Sequence, residues 1–321
     1  MRRRKPLDSD TSPISRYSSV SSFFLRDRNF DKALARFAVT CTSNSASPSA
    51  GTMNGVLEQI STRGETRTPD FRLTALDGGS LPLTTTYDAV VDGTKGDVEL
   101  KRVDIMLGSS PLQARGTIEG THGLKGKRVV LNIKSTAVNL AELLKLTSKA
   151  QPPMARGVVS VDAAFDLPQG DADVLDRLAL EGSFTANRLR FADEGVQDKI
   201  DTLSRRGQGR PSDASIDNVA SNVSSKFVLA KSVITYRGLA FNVQGASIKL
   251  DGTHSLEPKT LSLQGEVLLQ ASASNAMTGF KRWLIKPFDP LFRKNGAGAE
   301  IPIKLGGTAH APKFGLNIKG L

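Results

Sequence analysis

From about residue 51 to the end of the chain, apolar and polar residues alternate in short runs that are separated by Gly, Pro, Asp or Asn. Alternation with a period of two predicts β-strands with one apolar face, and the separating residues are typical of turns. The predicted strands lie at Phe71–Leu76, Leu83–Val91, Val98–Leu107, Leu112–Glu119, Val129–Ser135, Val158–Leu167, Leu178–Phe191, Lys226–Leu229, Ser232–Tyr236, Leu239–Val243, Ala246–Leu250, Leu261–Ala273, Ile301–Gly306 and Phe314–Ile318.

Three segments depart from this alternation and predict short helices. Asn139 is a candidate N-cap for the first, whose leucines at 140, 143, 144 and 146 share one face. The second covers Gly195–Arg206, and Gly207 is suited to a left-handed stop after it. The third covers Asn275–Ile285 and ends before Pro287.

Many short strands with few helices predict a mainly β protein, built as an extended antiparallel sheet that curls into a groove, like a taco shell. The same alternation fits two arrangements. In a sandwich the apolar face would be packed as ordinary core, whereas in an open curled sheet it would line a concave wall that holds lipid chains. The sequence leaves both arrangements open.

The chain divides near residue 50. Residues 1–50 are rich in Ser and Arg without a steady period, which predicts a disordered or non-native tail. Residues 51–321 form the predicted β domain, with a sub-boundary near 150–156. No run reaches the roughly 18 apolar residues that cross a bilayer, and no secretion signal is recognisable. Met53 is a candidate internal start.

The basic character of the chain does not indicate a nucleic-acid partner. The net charge is +11, but much of the excess lies in the first fifty residues, and the remainder is scattered. Aromatic residues make up 6% of the chain and do not alternate with Lys or Arg as base-stacking surfaces require. We therefore expect no nucleic acid among the partners.

No residue pattern indicates an active site, a metal site or a cofactor. The three histidines, at 122, 254 and 310, lie far apart, without acidic or cysteine companions at ligand spacing. Cys41 is the only cysteine and lies in the tail. The acid pairs Asp171/Asp173 and Asp198/Asp201 are expected in a solvated loop and on the polar face of a helix. We expect no enzyme activity.

The densest combination of apolar and basic residues follows position 275. An amphipathic helix here could lie at a lipid headgroup boundary or close one end of a groove; the alternative is ordinary packing against the sheet. The candidate lipid or membrane contacts are Phe280, Trp283, Leu284, Phe288, Leu291 and Phe292.

Several ordered motifs give the chain a family resemblance from about residue 51 onward. The longest is FADEGVQDKIDTLSRRGQGRP at Phe191–Pro211, followed by IDNV from Ile216. Others are Asn54–Val56, Thr68–Phe71, Val91–Asp97, Pro152–Met154, Gly245–Gly252, Lys286–Gly298, Ile301–Thr308 and Pro312–Leu316. Together they resemble the C-terminal region of AsmA-like bacterial envelope proteins.

The resemblance implies a periplasmic β-groove protein that is tethered to the inner membrane by one N-terminal helix. AsmA-like proteins are regarded as bridge-like phospholipid carriers or as outer-membrane assembly factors. This chain departs from the family pattern at its N-terminus, where the anchor and the first part of the groove would stand. The expected location is the periplasmic side of the inner membrane, and the expected partner is phospholipid or a membrane surface.

Three functional hypotheses follow. The first is a non-enzymatic phospholipid-handling domain with an apolar groove. The second is a structural or assembly module that binds envelope proteins through exposed strand edges, without carrying lipid. The third, a hydrolase of envelope glycan or lipid, needs a carboxylate pair or triad that the sequence does not provide.

Overall fold

The computed structural model describes residues 50–53, 56–73, 78–147, 152–271, 299–308 and 312–317. They form one antiparallel sheet of 14 strands whose order in the sheet is their order in the chain. The strands are β1 Ala50–Met53, β2 Val56–Phe71, β3 Leu81–Asp92, β4 Val98–Leu107, β5 Ser110–Glu119, β6 Arg128–Asn139, β7 Ala155–Leu167, β8 Ala179–Phe191, β9 Ser221–Ala230, β10 Val233–Val243, β11 Ala246–Ser255, β12 Thr260–Leu269, β13 Ala299–Gly307 and β14 Pro312–Leu316.

The predicted mainly β class is confirmed, with two corrections to individual strands. The strand predicted at Phe71–Leu76 is wrong, because the 16 residues of β2, Val56–Phe71, end where the predicted strand begins and residues 72 and 73 belong to no strand. The threonines and charged residues of β2 conceal the alternation. The two strands predicted at Ser232–Tyr236 and Leu239–Val243 are one strand, β10, which is interrupted by a bulge.

Three helices lie in the described ranges: α1 Leu140–Thr147, α2 Val174–Arg177 and α3 Glu194–Gly207. Asn139 begins α1 as predicted, since its side-chain oxygen accepts from the Ala141 N–H at 3.0 Å. Asp193 does the same for α3, accepting from the Val196 N–H at 2.9 Å. The expectation for Gly207 is wrong, because Gly207 belongs to the helix and Gly209 has the left-handed φ of 72°.

The pairing register sorts the strand residues into two faces, because residues directly opposite each other in neighbouring antiparallel strands project to the same side. One side, the inner face, is apolar on strand after strand. Across β4–β8 it contains Val98, Leu100, Val103, Ile105, Leu107, Leu112, Ala114, Ile118, Val129, Leu131, Ile133, Val138, Val159, Val161, Ala163, Phe165, Leu167, Leu180, Phe184, Ala186 and Leu189. The outer face carries the polar residues between them.

Burial distinguishes the two faces independently of polarity. Seventeen apolar residues of the described ranges are buried; Leu146 and Ile200 belong to helices, and the other fifteen all lie on the inner face. Alanine gives a comparison at constant size. On the inner face Ala89, Ala114, Ala155, Ala163, Ala186 and Ala246 are only 2–6% exposed, whereas on the outer face Ala164 and Ala179 are exposed and Ala240 is half-buried. The inner face is the enclosed side of the sheet.

Bulges and glycines curl the sheet. Strands β2, β4, β6, β8 and β10 each carry one residue more than the neighbour opposite them, and such bulges bend a strand and increase its twist. Glycines add bends where neighbouring backbones come too close for a side chain. At Gly182 a Cβ would lie 2.3 Å from the carbonyl oxygen of Asp162 on β7.

Both longer helices cover the same end of the sheet, where the even-numbered strands finish. The carboxylate of Glu142 on α1 accepts from the Ser109 N–H in the β4–β5 turn at 2.9 Å, and the Lys145 carbonyl accepts from the Gly79 N–H at 2.6 Å. On α3, Ser204 donates to the Gln244 carbonyl in the β10–β11 turn at 2.8 Å. The helices therefore line one rim of the sheet, where Leu140 of α1 also packs against the inner-face residues Val138 and Val159.

A buried carboxylate fixes α3 to the chain that follows it. Asp201 is 1% exposed and accepts hydrogen bonds from the Val219 N–H at 2.9 Å, the Gln197 amide at 2.9 Å and the Asn218 N–H at 3.0 Å. Burial raises the pKa of Asp201, but these hydrogen bonds outweigh it, so the pKa lies below the usual value.

We predict that Gly182→Ala destabilises the sheet, because the added methyl group overlaps the Asp162 carbonyl oxygen. The expected loss is about 1–3 kcal/mol, the usual range for overpacking. The measurement is the midpoint of urea unfolding. The control is Gly306→Ala, where the nearest atom to the new methyl group is the Leu261 carbonyl oxygen at 3.8 Å. Equal midpoints for both variants would contradict the close approach of β7 and β8.

We predict that Asp201→Asn destabilises the protein at neutral pH by about 1–3 kcal/mol, because a buried acceptor of three hydrogen bonds is replaced by an amide that cannot accept them all. A pKa depressed in the folded state stabilises the protein above the unfolded pKa of about 3.9, and that contribution is lost as pH falls through the folded pKa.

The difference in unfolding free energy between the wild type and Asp201→Asn should therefore be constant from pH 7 to about pH 5 and shrink below about pH 4. Urea unfolding at several pH values measures it. A difference that stays constant down to pH 2 would mean that the Asp201 charge contributes nothing.

Candidate functional site

The inner face is uncharged across the width of the sheet. Among the described residues of β2–β13 that the register pairs, no Asp, Glu, Lys or Arg occupies an inner-face position; the paired charged residues project to the outer face. Burial lowers the pKa of His254, an inner-face residue, so its imidazole is neutral at pH 7. Burial also raises the pKa of Tyr236. The face carries no formal charge near neutral pH.

The aromatic side chains of this face are half-buried, although several of its leucines are buried. Phe165, Phe184, Phe227, Tyr236 and Phe241 all retain some exposure. Near the α1 end of β6–β8 the face is packed, in a cluster of Val138, Val159, Ala186 and Leu189. The half-buried aromatic rings are the part of the face that another molecule can contact.

A cross-strand row in the middle of the sheet illustrates how this face is shaped. Ala163, Gly182, Phe227, Tyr236, Gly252 and Leu263 follow one another in register from β7 to β12. The Phe227 ring also lies 6.1 Å from the Phe184 ring, centroid to centroid, at 49°. Two aromatic rings thus stand in this row between positions with little or no side chain.

A cavity of about 490 Å³ lies at β5–β8. Four residues of one inner-face row, Leu112, Ser135, Val161 and Phe184, line it together with their neighbours on each strand, which include Lys134 and Asp162. This volume lies within the range of small-molecule sites.

The outer face is a charged surface with cross-strand ion pairs. Arg63 pairs with Asp88 at 2.9 Å, Arg128 with Asp166 at 2.6 Å and Lys134 with Asp162 at 2.8 Å. All are substantially exposed, so each contributes little to stability. Their effect is to make the outer face compatible with water.

The described residues offer little to acid–base or metal chemistry. They contain no group of three or more His, Cys, Asp or Glu side chains that could hold a metal ion. Asp171 pairs with Lys125 at 2.6 Å, and Asp201 is occupied by its structural hydrogen bonds. Arg205 donates to the Ile216 carbonyl at 3.0 Å, which gives it a structural role.

One acid pair was not evident from the sequence. Glu266 on β12 shares a hydrogen bond with Glu300 on β13, which together with burial raises the pKa of Glu266. Register places Glu266 opposite Pro302 and Glu300 opposite Leu268, on the outer face. The pair therefore lies on the opposite side of the sheet from the apolar wall.

The predicted contact residues Phe280, Trp283, Leu284, Phe288, Leu291 and Phe292 lie outside the described residues, as do the predicted helix at Asn275–Ile285, Cys41, His310 and most of the predicted tail. The inner-face residues of β2 were missed because that strand was not predicted. Their signal was the alternation of threonine with charged residues in STRGETRT, at Ser61–Thr68.

No helix in the described ranges is both long and apolar enough to span a membrane. Comparison of the chain with protein-family models, with curated proteins and with solved structures finds no match.

Proposed function

We propose that this protein is a non-enzymatic lipid-handling protein that shelters the hydrocarbon chains of phospholipid against the inner face of its curled sheet. The observation that carries the proposal is the combination of a predominantly apolar inner face from β4 to β13, without charged residues at its registered positions, with half-buried aromatic side chains along it.

The chemistry of the face favours hydrocarbon over a peptide. The backbone groups of interior strands are used in the ladders with both neighbours. A bound peptide would bring N–H and C=O groups that lose water without finding partners there, at a cost of roughly 1–3 kcal/mol for each. An acyl chain has no such groups, and each methylene removed from water contributes about 0.8 kcal/mol.

The size of the apolar face supports the same conclusion. Monomeric proteins rarely expose a contiguous apolar area beyond a few hundred Å², and larger areas mark binding surfaces. Here apolar rows extend over ten successive strands, β4 to β13. A face of this extent could hold two acyl chains of one phospholipid along much of their length.

The resemblance to AsmA-like proteins fits this proposal. It suggests a protein of the bacterial envelope, on the periplasmic side of the inner membrane, that takes part in phospholipid transport or outer-membrane assembly. The envelope location in this proposal comes from the resemblance, and the lipid-binding chemistry comes from the inner face.

The open sheet edges favour a second candidate function. Within the described part of the chain, β1 and β14 are the end strands of the sheet, and each has one strand neighbour. Unpaired edges accept strands from other chains, so an assembly module could recruit a protein partner there. A protein of this kind would bind its partner whether or not the inner face held lipid.

We predict that the purified full chain carries phospholipid, and that a charge on the inner face expels it. Ile105 and Met106 are neighbours on β4 that project to opposite faces, inner and outer. In Ile105→Glu an ionised carboxylate would lose its water against hydrocarbon, so affinity for a fluorescent phospholipid should fall by at least about tenfold. Met106→Glu, at a side chain that is 45% exposed, should bind like the wild type.

Circular dichroism and thermal unfolding establish that both variants are folded. Should Ile105→Glu fail to fold, Val161→Glu and its outer-face neighbour Ser160→Glu on β7 provide the same comparison. A folded wild type without stoichiometric lipid by extraction and mass spectrometry would overturn the proposal. So would equal lipid binding by the inner-face and outer-face variants.

A further inference from the structure

The inner face changes chemistry at one end of the sheet. On β2 it carries Thr62, Gly64, Thr66 and Thr68, and on β3 it carries Thr85 and Tyr87 among apolar residues. The inner face of β4, the next strand, is wholly apolar. The hydroxyl section, defined here as Thr62, Thr66, Thr85 and Tyr87, therefore adjoins the apolar wall directly.

These hydroxyls form a half-buried group on two neighbouring strands, whereas the half-buried hydroxyls of Ser135, which donates to the Pro111 carbonyl, and of Tyr236 stand singly on β6 and β10. All four residues of the hydroxyl section are half-buried. By contrast, Ser110 and Ser221 are 0–1% exposed, and Ser225 is 5% exposed and donates to the Lys226 carbonyl at 2.7 Å. The hydroxyl section is thus where a ligand on this face would meet polar atoms of side chains.

The section retains capacity to donate hydrogen bonds. The hydroxyl oxygens of Thr66 and Thr85 lie 2.5 Å apart, on directly opposite residues. Two hydroxyls contain two protons and this contact uses one, so the other remains to be donated. The Tyr87 ring lies over Gly64, where the missing side chain makes room for it: a Cβ on Gly64 would be 2.6 Å from the Tyr87 hydroxyl oxygen.

The ligand atoms that suit this section are uncharged acceptors. Ester carbonyl and glycerol oxygens accept hydrogen bonds from hydroxyls without needing a cation. A phosphate would need Lys or Arg to compensate its charge on entering an apolar environment, and the described inner-face positions provide neither. The charged headgroup would remain outside, in water.

We infer that the hydroxyl section is the site that receives the glycerol and ester oxygens of an acylglycerol lipid while its chains lie on the adjoining apolar wall. This inference rests on the proposed function and extends it, because it sets the orientation of the lipid and gives the protein a preference for ester-linked chains.

The test compares two probes with the same hydrocarbon: a diacylglycerol and the dialkyl glycerol ether of equal chain length, each competing with a fluorescent fatty-acyl probe on the full chain. An ester carbonyl is a good acceptor that the ether lacks. One additional hydrogen bond of ordinary net strength predicts that the wild type binds the diacylglycerol about 3- to 10-fold more tightly than the ether.

A variant that combines Thr62→Val, Thr66→Val, Thr85→Val and Tyr87→Phe should lose this preference and keep its affinity for the ether. The control combines Thr84→Val and Thr86→Val, at outer-face positions of β3. This control variant should retain the preference for the ester. Thermal unfolding of each variant verifies folding. If the combined variant does not fold, the single change Tyr87→Phe, which keeps the ring, replaces it in the comparison.

The outcomes separate the two proposals. Equal affinity of the wild type for both probes, or a preference that survives the combined variant or Tyr87→Phe in its place, overturns the inference and leaves lipid binding intact. Failure of the wild type to bind either probe overturns the proposed function and this inference with it.

Discussion

The whole arrangement depends on one constraint, the two-residue alternation of strand side chains kept in register across successive ladders. A one-residue slip between any two strands would exchange the faces of every strand beyond it and bring charged residues against the apolar wall. The described ladders contain six bulges that could have caused such an exchange. They do not, because at each bulge two inner-face residues are spaced by three instead of two, as in Leu100–Val103 on β4 and Ala186–Leu189 on β8.

This constraint produces a face that the fold leaves incompletely buried. An ordinary domain covers the apolar side of a sheet with a second layer. Here the longer helices line one rim: α1 contacts the β4–β5 turn through Glu142, and α3 contacts the β10–β11 turn through Ser204. The sheet encloses its apolar side by curling, which buries alanines and some of the leucines and valines and leaves the aromatic side chains half-buried. Partial exposure of this much apolar surface is unfavourable in water, and a bound hydrocarbon relieves it.

The alternation in the sequence was enough to predict the class of fold, most strands, α1 and α3. Where it failed, the physical reasons are specific. The three-residue spacing at Tyr236–Leu239 indicates a strand end when the sequence is read alone, because only the partner strands reveal a bulge. In β2, threonines occupy the inner-face positions between charged outer-face residues. Both kinds of residue are polar, so the sequence shows no apolar–polar alternation there, and only the register distinguishes the faces. Whether the apolar face was packed or open depended on long-range contacts that no local pattern contains.

The central claim is that only one face of the sheet meets hydrocarbon, and photocrosslinking along one strand tests it most directly. A benzophenone amino acid placed at each position from 158 to 165 of β7, in turn, would react with the acyl chains of bound phospholipid wherever the two touch. The account predicts crosslinks that alternate, strong at Val159, Val161, Ala163 and Phe165 and weak at Val158, Ser160, Asp162 and Ala164. Crosslinks without a two-residue period, or stronger at the second set, would contradict it.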